Sequence, residues 1–143
     1  MKDKAFLIDS NILVYAFDSS EKKKHQKAKN LLKKCWKGEK QYAVSIQNIS
    51  EFFVNVTKKI ERPISREKGE KIVNNIINFD GFIKLEPTKE TISKAINISI
   101  KNDMTYWDSL IEATMIENGV FEIYTENTKD FKTGKINTTN PLE

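Results

Sequence analysis

The sequence predicts a single α/β domain, residues 1–143, built on a central, mostly parallel sheet of four to five strands flanked by helices. Three observations carry this. Four short, continuous apolar runs, at residues 5–8, 42–45, 82–85 and 120–124, have the length and make-up of strands buried on both faces. The segments between them are long and amphipathic enough to be helices, and strands alternating with helices imply a parallel sheet. A length of 143 residues, 38% of them hydrophobic, suits one compact domain that needs neither disulfide nor structural metal to hold its core.

The elements follow in order. Ala5-Phe6-Leu7-Ile8 is the first strand. Asp9-Ser10-Asn11 ends it and can cap the short helix that runs to about Phe17. Lys22 to Lys37 is a helix, with Ala28, Leu31, Leu32 and Cys35 recurring on one face beneath a lysine-rich surface, and Gly38 suits its C-terminus. Tyr42 to Ser45 is the second strand. The helix after it starts near Ile46 or Asn48 and runs to Lys59 on a stripe of Ile49, Phe52, Phe53, Val56 and Ile60. Pro63 breaks the chain, and Ser65 opens a helix to about Phe79. Phe82 to Leu85 is the third strand. Thr88 to Lys101 is a helix whose Ile92, Ala95, Ile96 and Ser99 share a face. Tyr106 to Asn118 is a helix stopped by Gly119, and the fourth strand follows. An edge strand is expected around Lys135-Ile136-Asn137 in the polar tail.

Composition removes whole classes of chemistry. One cysteine, Cys35, allows no intrachain disulfide and no Cys-rich zinc site, and one histidine, His25, allows no His-rich metal site. No G-x-G-x-x-G or P-loop pattern is present, and no nucleophile elbow accompanies His25. His25 reads as structural or surface, Cys35 as core, and Trp107 as packing beside its acidic neighbour Asp108. No apolar run reaches transmembrane length, and Met1-Lys2-Asp3-Lys4 does not open a secretion signal, so a cytoplasmic protein is expected. Charge is uneven. Residues 1–40 hold eleven Lys against five acids, a balance of +6, and the rest holds thirteen Lys and Arg against fifteen acids, a balance of −2. A basic surface suits a polyanion, and lysines contact phosphates rather than bases, which makes Lys22, Lys23 and Lys24 candidate contacts to a nucleic-acid backbone, RNA on the resemblance given below.

Acids collect where ligands bind. In an open parallel sheet the crevice lies beyond the C-terminal strand ends. Asp9 follows the first strand, Glu51 follows the second by six residues, Asp108 opens a helix, and Glu126, Asn127 and Asp130 follow the fourth. Each has an ordinary reading: Asp9 as a helix cap, Asp108 as a favourable first-turn acid, Glu51 as a solvated residue opposite its helix's apolar stripe. Three or more acids on one rim, with no basic neighbour except Lys129, would repel unless a cation sat among them. Carboxylate donors without His or Cys select a hard ion, Mg²⁺ or Mn²⁺.

Four segments together resemble one family. Phe6-Leu7-Ile8-Asp9-Ser10-Asn11 is similar to the opening of PIN domains, Asn48-Ile49-Ser50-Glu51 to their second motif, and Tyr106-Trp107-Asp108-Ser109-Leu110-Ile111 to their third. Ile123-Tyr124-Thr125-Glu126-Asn127 with Asn140-Pro141 resembles the closing segment. The length and the W-D-S-L-I run look most like the VapC-type toxins of toxin–antitoxin pairs. The resemblance implies a metal-dependent endoribonuclease cleaving single-stranded or loop RNA with one or two Mg²⁺ or Mn²⁺ ions, a cognate antitoxin partner and a homodimer. It implies Asp9, Glu51 and Asp108 as catalytic metal ligands. Asn127 stands where the family usually has Asp, so Asp130 or Glu126 is expected to supply the missing charge, with Asp130 preferred. The alternative is a PIN fold that has lost catalysis and only binds RNA or protein; a receiver-type phosphoacceptor and a flavodoxin-like carrier fit less well.

Overall fold

A computed structural model describes residues 4–143; the opening Met1-Lys2-Asp3, read above as no secretion signal, lies outside the described residues. Five strands, β1 (Phe6–Ile8), β2 (Tyr42–Ser45), β3 (Phe82–Leu85), β4 (Glu122–Tyr124) and β5 (Asn137–Thr139), form one sheet in the order β3-β2-β1-β4-β5, and every neighbouring pair is parallel. Six helices cover it: α1 (Ser10–Tyr15), α2 (Lys22–Trp36), α3 (Ile46–Val54), α4 (Arg66–Asn78), α5 (Lys89–Asn102) and α6 (Tyr106–Glu117). None is long and apolar enough to cross a membrane.

The chain builds outward from β1 to β2 and β3, then returns across the sheet to lay β4 on the other flank of β1. That reversal makes the C-terminal ends of β1 and β4 the topological switch point, the place where open parallel sheets bind ligands. Both faces of the sheet are dry. Ile8, Val44 and Phe82 pack with Ile12, Leu13, Leu32, Phe52 and Ile76 on one side. Leu7, Ala43, Leu85 and Ile123 pack with Ile111 and Met115 on the other. The alternation within each strand follows the two-residue period of the pleat.

Helix starts follow capping chemistry. Ser45 and Asn48 form a reciprocal capping box at α3, Thr88 and Thr91 form one at α5, and Ser65 and Thr105 cap α4 and α6. Gly119 adopts φ +69°, a conformation that lets α6 end and β4 begin within a few residues.

Four expectations change. The helix after β2 does not run evenly to Lys59: α3 ends at Val54 and continues as a π-helical turn, Asn55–Lys59. The edge strand begins at Asn137 rather than Lys135, because Asn137 pairs with Glu122. On α5, Ala95 faces α6, whereas Ile92 and Ile96 turn outward with Ile100. Trp107, expected to pack beside Asp108, is 63% exposed, with its ring 5.1 Å from that of Tyr106 in an edge arrangement. Cys35 is buried with its Sγ on the Gly81 carbonyl, and His25 Nδ1 lies 2.9 Å from the Tyr15 carbonyl, both structural roles as expected.

Candidate active site

Asp9 is the last residue before α1 and the first beyond β1. At φ −70° and ψ 155° it caps the helix, accepting the Ser10 backbone N–H on Oδ1 at 2.8 Å. Two more neutral groups donate to it: Asn48 Nδ2 to Oδ1 at 3.2 Å, and Thr125 Oγ1 to Oδ2 at 2.8 Å. Each donor is delivered by an element. Asn48 is the third residue of α3, oriented by the capping box at Ser45. Thr125 follows β4, which runs beside β1 with Ile8 opposite Tyr124, so the residues after the two strands meet. The cap and the rim acid are thus one residue serving both roles.

Glu51 lies one turn further along α3 and is half-buried rather than solvated. Its Oε2 accepts from Ser10 Oγ at 3.2 Å and its Oε1 from Gln47 Nε2 at 2.8 Å. Gln47 also donates to the Trp107 carbonyl at 3.2 Å, which ties α3 to the first turn of α6. Asp108, in that turn, is half-buried, and its Oδ2 accepts from Thr105 Oγ1 at 2.9 Å.

The electrostatics are those of crowded acids. Burial pushes the Asp9 carboxyl up from 3.8 to about 6; hydrogen bonds from Thr125 and Ser10 oppose the rise, and the charges of Glu51 and Asp108 add to it. Burial also raises Asp108; Thr105 opposes, and Asp130 and Glu51 add. Among the described residues the ion pairs are Lys4–Glu122, Lys24–Glu126 and Lys94–Glu117, so no lysine or arginine neutralises Asp9, Glu51 or Asp108.

The carboxylates share one rim but do not form a closed cage: no three His, Cys, Asp or Glu side chains among the described residues are gathered as a ready cation site. Asp108 accepts from Thr105, and Glu51 from Gln47 and Ser10. The donor set still fits a hard dication, since it offers carboxylate oxygens held by neutral groups and no competing ammonium.

Glu126 corrects an expectation. It does not lack a basic partner: Lys24 Nζ sits 2.7 Å from Oε2, and Tyr15 Oη donates to Oε1 at 2.9 Å. Lys24 is therefore occupied, with its ammonium also 5.0 Å from the Tyr15 ring centre, whereas Lys22 and Lys23 are exposed. Asn127 is exposed and anchored by its backbone N–H on Thr125 Oγ1 at 3.1 Å. Asp130 is exposed in a single 3₁₀ turn, Thr128–Asp130, near enough to raise Asp108. Sequence reasoning passed over Ser10, Gln47, Asn48 and Thr125, the neutral residues that hold the acids. The Ser45-x-x-Asn48 capping spacing and the position of Thr125 after β4, matching Asp9 after β1, were the available signals.

The Asp9 shift predicts a pH dependence. A carboxyl whose folded value exceeds its unfolded one carries no penalty below about pH 4, and loses stability as pH rises through about 6. The full shift corresponds to a loss on the order of 3 kcal/mol at neutral pH. Asp9→Asn keeps the cap, since Asn caps as well as Asp, and its amide can still donate to the Thr125 hydroxyl. Without divalent ions, Asp9→Asn should melt higher than wild type at pH 7.5, and the gap should close at pH 4. A lower melting temperature at both pH values would show that Asp9 serves mainly as a structural cap.

Comparison with known proteins agrees with this architecture. The family model described as "PIN domain" matches residues 6–135. No curated protein sequence matches the chain. Among solved structures, a toxin–antitoxin complex from Klebsiella pneumoniae is 23% identical with a TM-score of 0.65, covering 96% of this chain and 98% of that one. VapC20 of Mycobacterium tuberculosis, a toxin that cleaves the sarcin–ricin loop, is 13% identical with a TM-score of 0.66, covering 85% and 88%. FitAB bound to an IR36 DNA fragment is 13% identical with a TM-score of 0.63, covering 96% of each chain. A family match over most of the chain, on a five-stranded parallel sheet with acids at its topological switch, leads to one conclusion: the chain belongs to the PIN domain family.

Proposed function

We propose that this chain is a divalent-cation-dependent endoribonuclease of the VapC toxin kind. On this reading it acts in the cytoplasm on single-stranded or loop RNA, is restrained by a cognate antitoxin protein, and works as a homodimer. The observation that carries the reading is Asp9: a buried carboxylate whose partners are all neutral, pressed by Glu51 and Asp108 and matched by no cation among the described residues. A rim that concentrates uncompensated negative charge cannot approach a phosphodiester without a dication between them.

Asp9, Glu51 and Asp108 would hold Mg²⁺ or Mn²⁺, with Asp130 adding charge and Asn127 a neutral oxygen. Bound there, the ion would supply an activated water and charge stabilisation for phosphodiester hydrolysis. The protein's own work is positioning. Thr125, Asn48 and Ser10 fix the Asp9 oxygens, and Gln47 and Ser10 fix Glu51, so the ligand set is held by residues whose loss typically costs ten- to a hundred-fold. Glu126 is committed to Lys24 and Tyr15, so Asp130 is the acid free to stand in for the family's missing Asp at position 127. Asn127 is also the observation that favours the alternative, a PIN fold that binds RNA without cutting it.

Cleavage of a single-stranded RNA separates the two readings. Wild type should cut with Mg²⁺ or Mn²⁺, stop on chelation, and lose at least about 100-fold in rate in Glu51→Gln, beyond the loss typical of a supporting residue. Binding with no cleavage under any divalent ion would leave only the binding module. The toxin role requires that the product of an adjacent gene bind the chain and suppress cleavage; a gene with no such neighbour removes it.

Calorimetric titration of Mn²⁺ tests the fourth position. Asn127→Asp should tighten binding and leave cleavage no slower, and Asp130→Asn should weaken binding. If Asp130→Asn leaves the affinity unchanged while Glu126→Gln lowers it, the compensating acid is Glu126.

Lys22 and Lys23 are assigned to phosphate contact. Reversing both to Glu should reduce the slope of log affinity against log salt by roughly 0.7 for each lost contact with single-stranded RNA. An unchanged slope makes the outer surface of α2 ordinary solvated surface.

A further inference from the structure

We infer that Trp107 is a platform on which an unpaired nucleobase stacks beside the acidic rim, and that it selects single-stranded RNA. The inference rests on the ribonuclease reading proposed above and adds to it the part of the substrate that the rim receives.

An apolar residue exposed by itself is ordinary. Trp107 is set apart by how it is held. It is the second residue of α6, between Tyr106 and Asp108. Tyr106 packs inward against Ala95, Leu110 and Ala113, and its ring stands at 70° to the indole. The Trp107 carbonyl accepts from Gln47 Nε2 at 3.2 Å, and Gln47 also donates to Glu51 at 2.8 Å. One side chain therefore ties the tryptophan backbone to one rim acid, and the next residue along the chain is another. Consecutive Cα atoms are about 3.8 Å apart, so the indole is kept within a nucleotide's reach of the acids.

The other tryptophan shows what an indole used for packing looks like in this fold. Trp36, at the end of α2, has the rings of Phe79 and Phe82 at 4.8 and 5.1 Å. Trp107 has the edge of one tyrosine and is otherwise open. A large flat apolar surface, fixed in place and left uncovered, is what an aromatic ligand needs.

The charge of the rim chooses which part of a nucleotide meets that surface. Asp9, Glu51 and Asp108 repel the phosphates on either side of the one that a dication holds. A base carries no charge and presents a π-face. Stacking on an aromatic side chain strengthens binding roughly tenfold per base and accepts any base. In a duplex each base already lies between its neighbours, so only an unpaired nucleotide has a face to give. Preference for single strands then follows from the indole and requires no readout of base edges.

Two oligonucleotides of equal length and charge test this: a single-stranded oligoadenylate and an abasic chain, each titrated at low salt with a chelator present. The indole fluorescence of the full-length wild type should change with the oligoadenylate and not with the abasic chain. Trp107→Phe should lose that response and keep most of the affinity. Trp107→Ala should bind the oligoadenylate roughly tenfold more weakly with an unchanged salt dependence, because no phosphate contact is lost. A response that survives in Trp107→Phe, a Trp107→Ala variant that binds as wild type does, or a wild type that responds to both chains or to neither overturns the proposal. An emission that shifts with protein concentration alone, and no longer does so in Trp107→Phe, assigns the indole to a contact between protein chains and overturns it as well. Cleavage assayed separately with Mg²⁺ tells the two readings apart. RNA cut by Trp107→Ala at the wild-type kcat/KM leaves the nuclease and removes the platform; a Trp107-dependent response in a chain that cuts nothing leaves the platform and removes the nuclease.

Discussion

The parallel pairing of β1 with β4 is the constraint on which the rest of the molecule depends. It puts Ile8 opposite Tyr124 and so sets the next residue of each strand, Asp9 and Thr125, side by side. Because β2 and β3 lie on the other flank of β1, this is also where the sheet reverses its building direction, the place where open parallel sheets bind ligands. The Thr125 hydroxyl on Asp9 is thus a contact between residues 116 apart in sequence, made by sheet topology alone. The packing of α3 over the same edge then brings Asn48 and Glu51 to it, and the short α5–α6 turn brings Asp108.

What gathers there is unbalanced on purpose or at a cost. A carboxyl that is 6% exposed would ordinarily be paired with a cation or kept neutral. Asp9 is instead surrounded by an amide, a hydroxyl and a backbone N–H, which orient it without cancelling its charge. Lys24, brought to this edge by α2, is bound to Glu126. Glu126 thus has a protein partner of opposite charge, whereas Asp9, Glu51 and Asp108 have none among the described residues. A donor set of this kind suits an ion that binds oxygen and tolerates high local charge.

Two of the readings that looked mundane turn out to be compatible with the functional one. Asp9 does cap α1, and Asp108 does sit in the first turn of α6, where the helix dipole favours an acid. Local stability and the placement of charge are served by the same atoms. Glu51 differs. Helical periodicity puts it opposite the apolar stripe, hence in solvent; in the fold that opposite side of α3 faces Ser10 and the acidic rim. Periodicity reports only which residues are apolar, and a polar crevice is indistinguishable from water on that measure.

The sequence alone determined the strands, the helices, the α/β class and the identity of the rim acids, because buried strands, amphipathic helices and caps are local patterns written within a few residues. It also carried the four motifs in order. Tertiary structure decided what locality cannot reach. The partner of Glu126 is Lys24, 102 residues away, and nothing near either residue in sequence announces it. The holders of Asp9 come from α3 and from beyond β4. The outward turn of Ile92, Ile96 and Ile100 was decided by which face of α5 the small residues Ala95 and Ala113 allowed against α6. In each case the deciding energy is a contact between distant segments, which exists only after the sheet has ordered them.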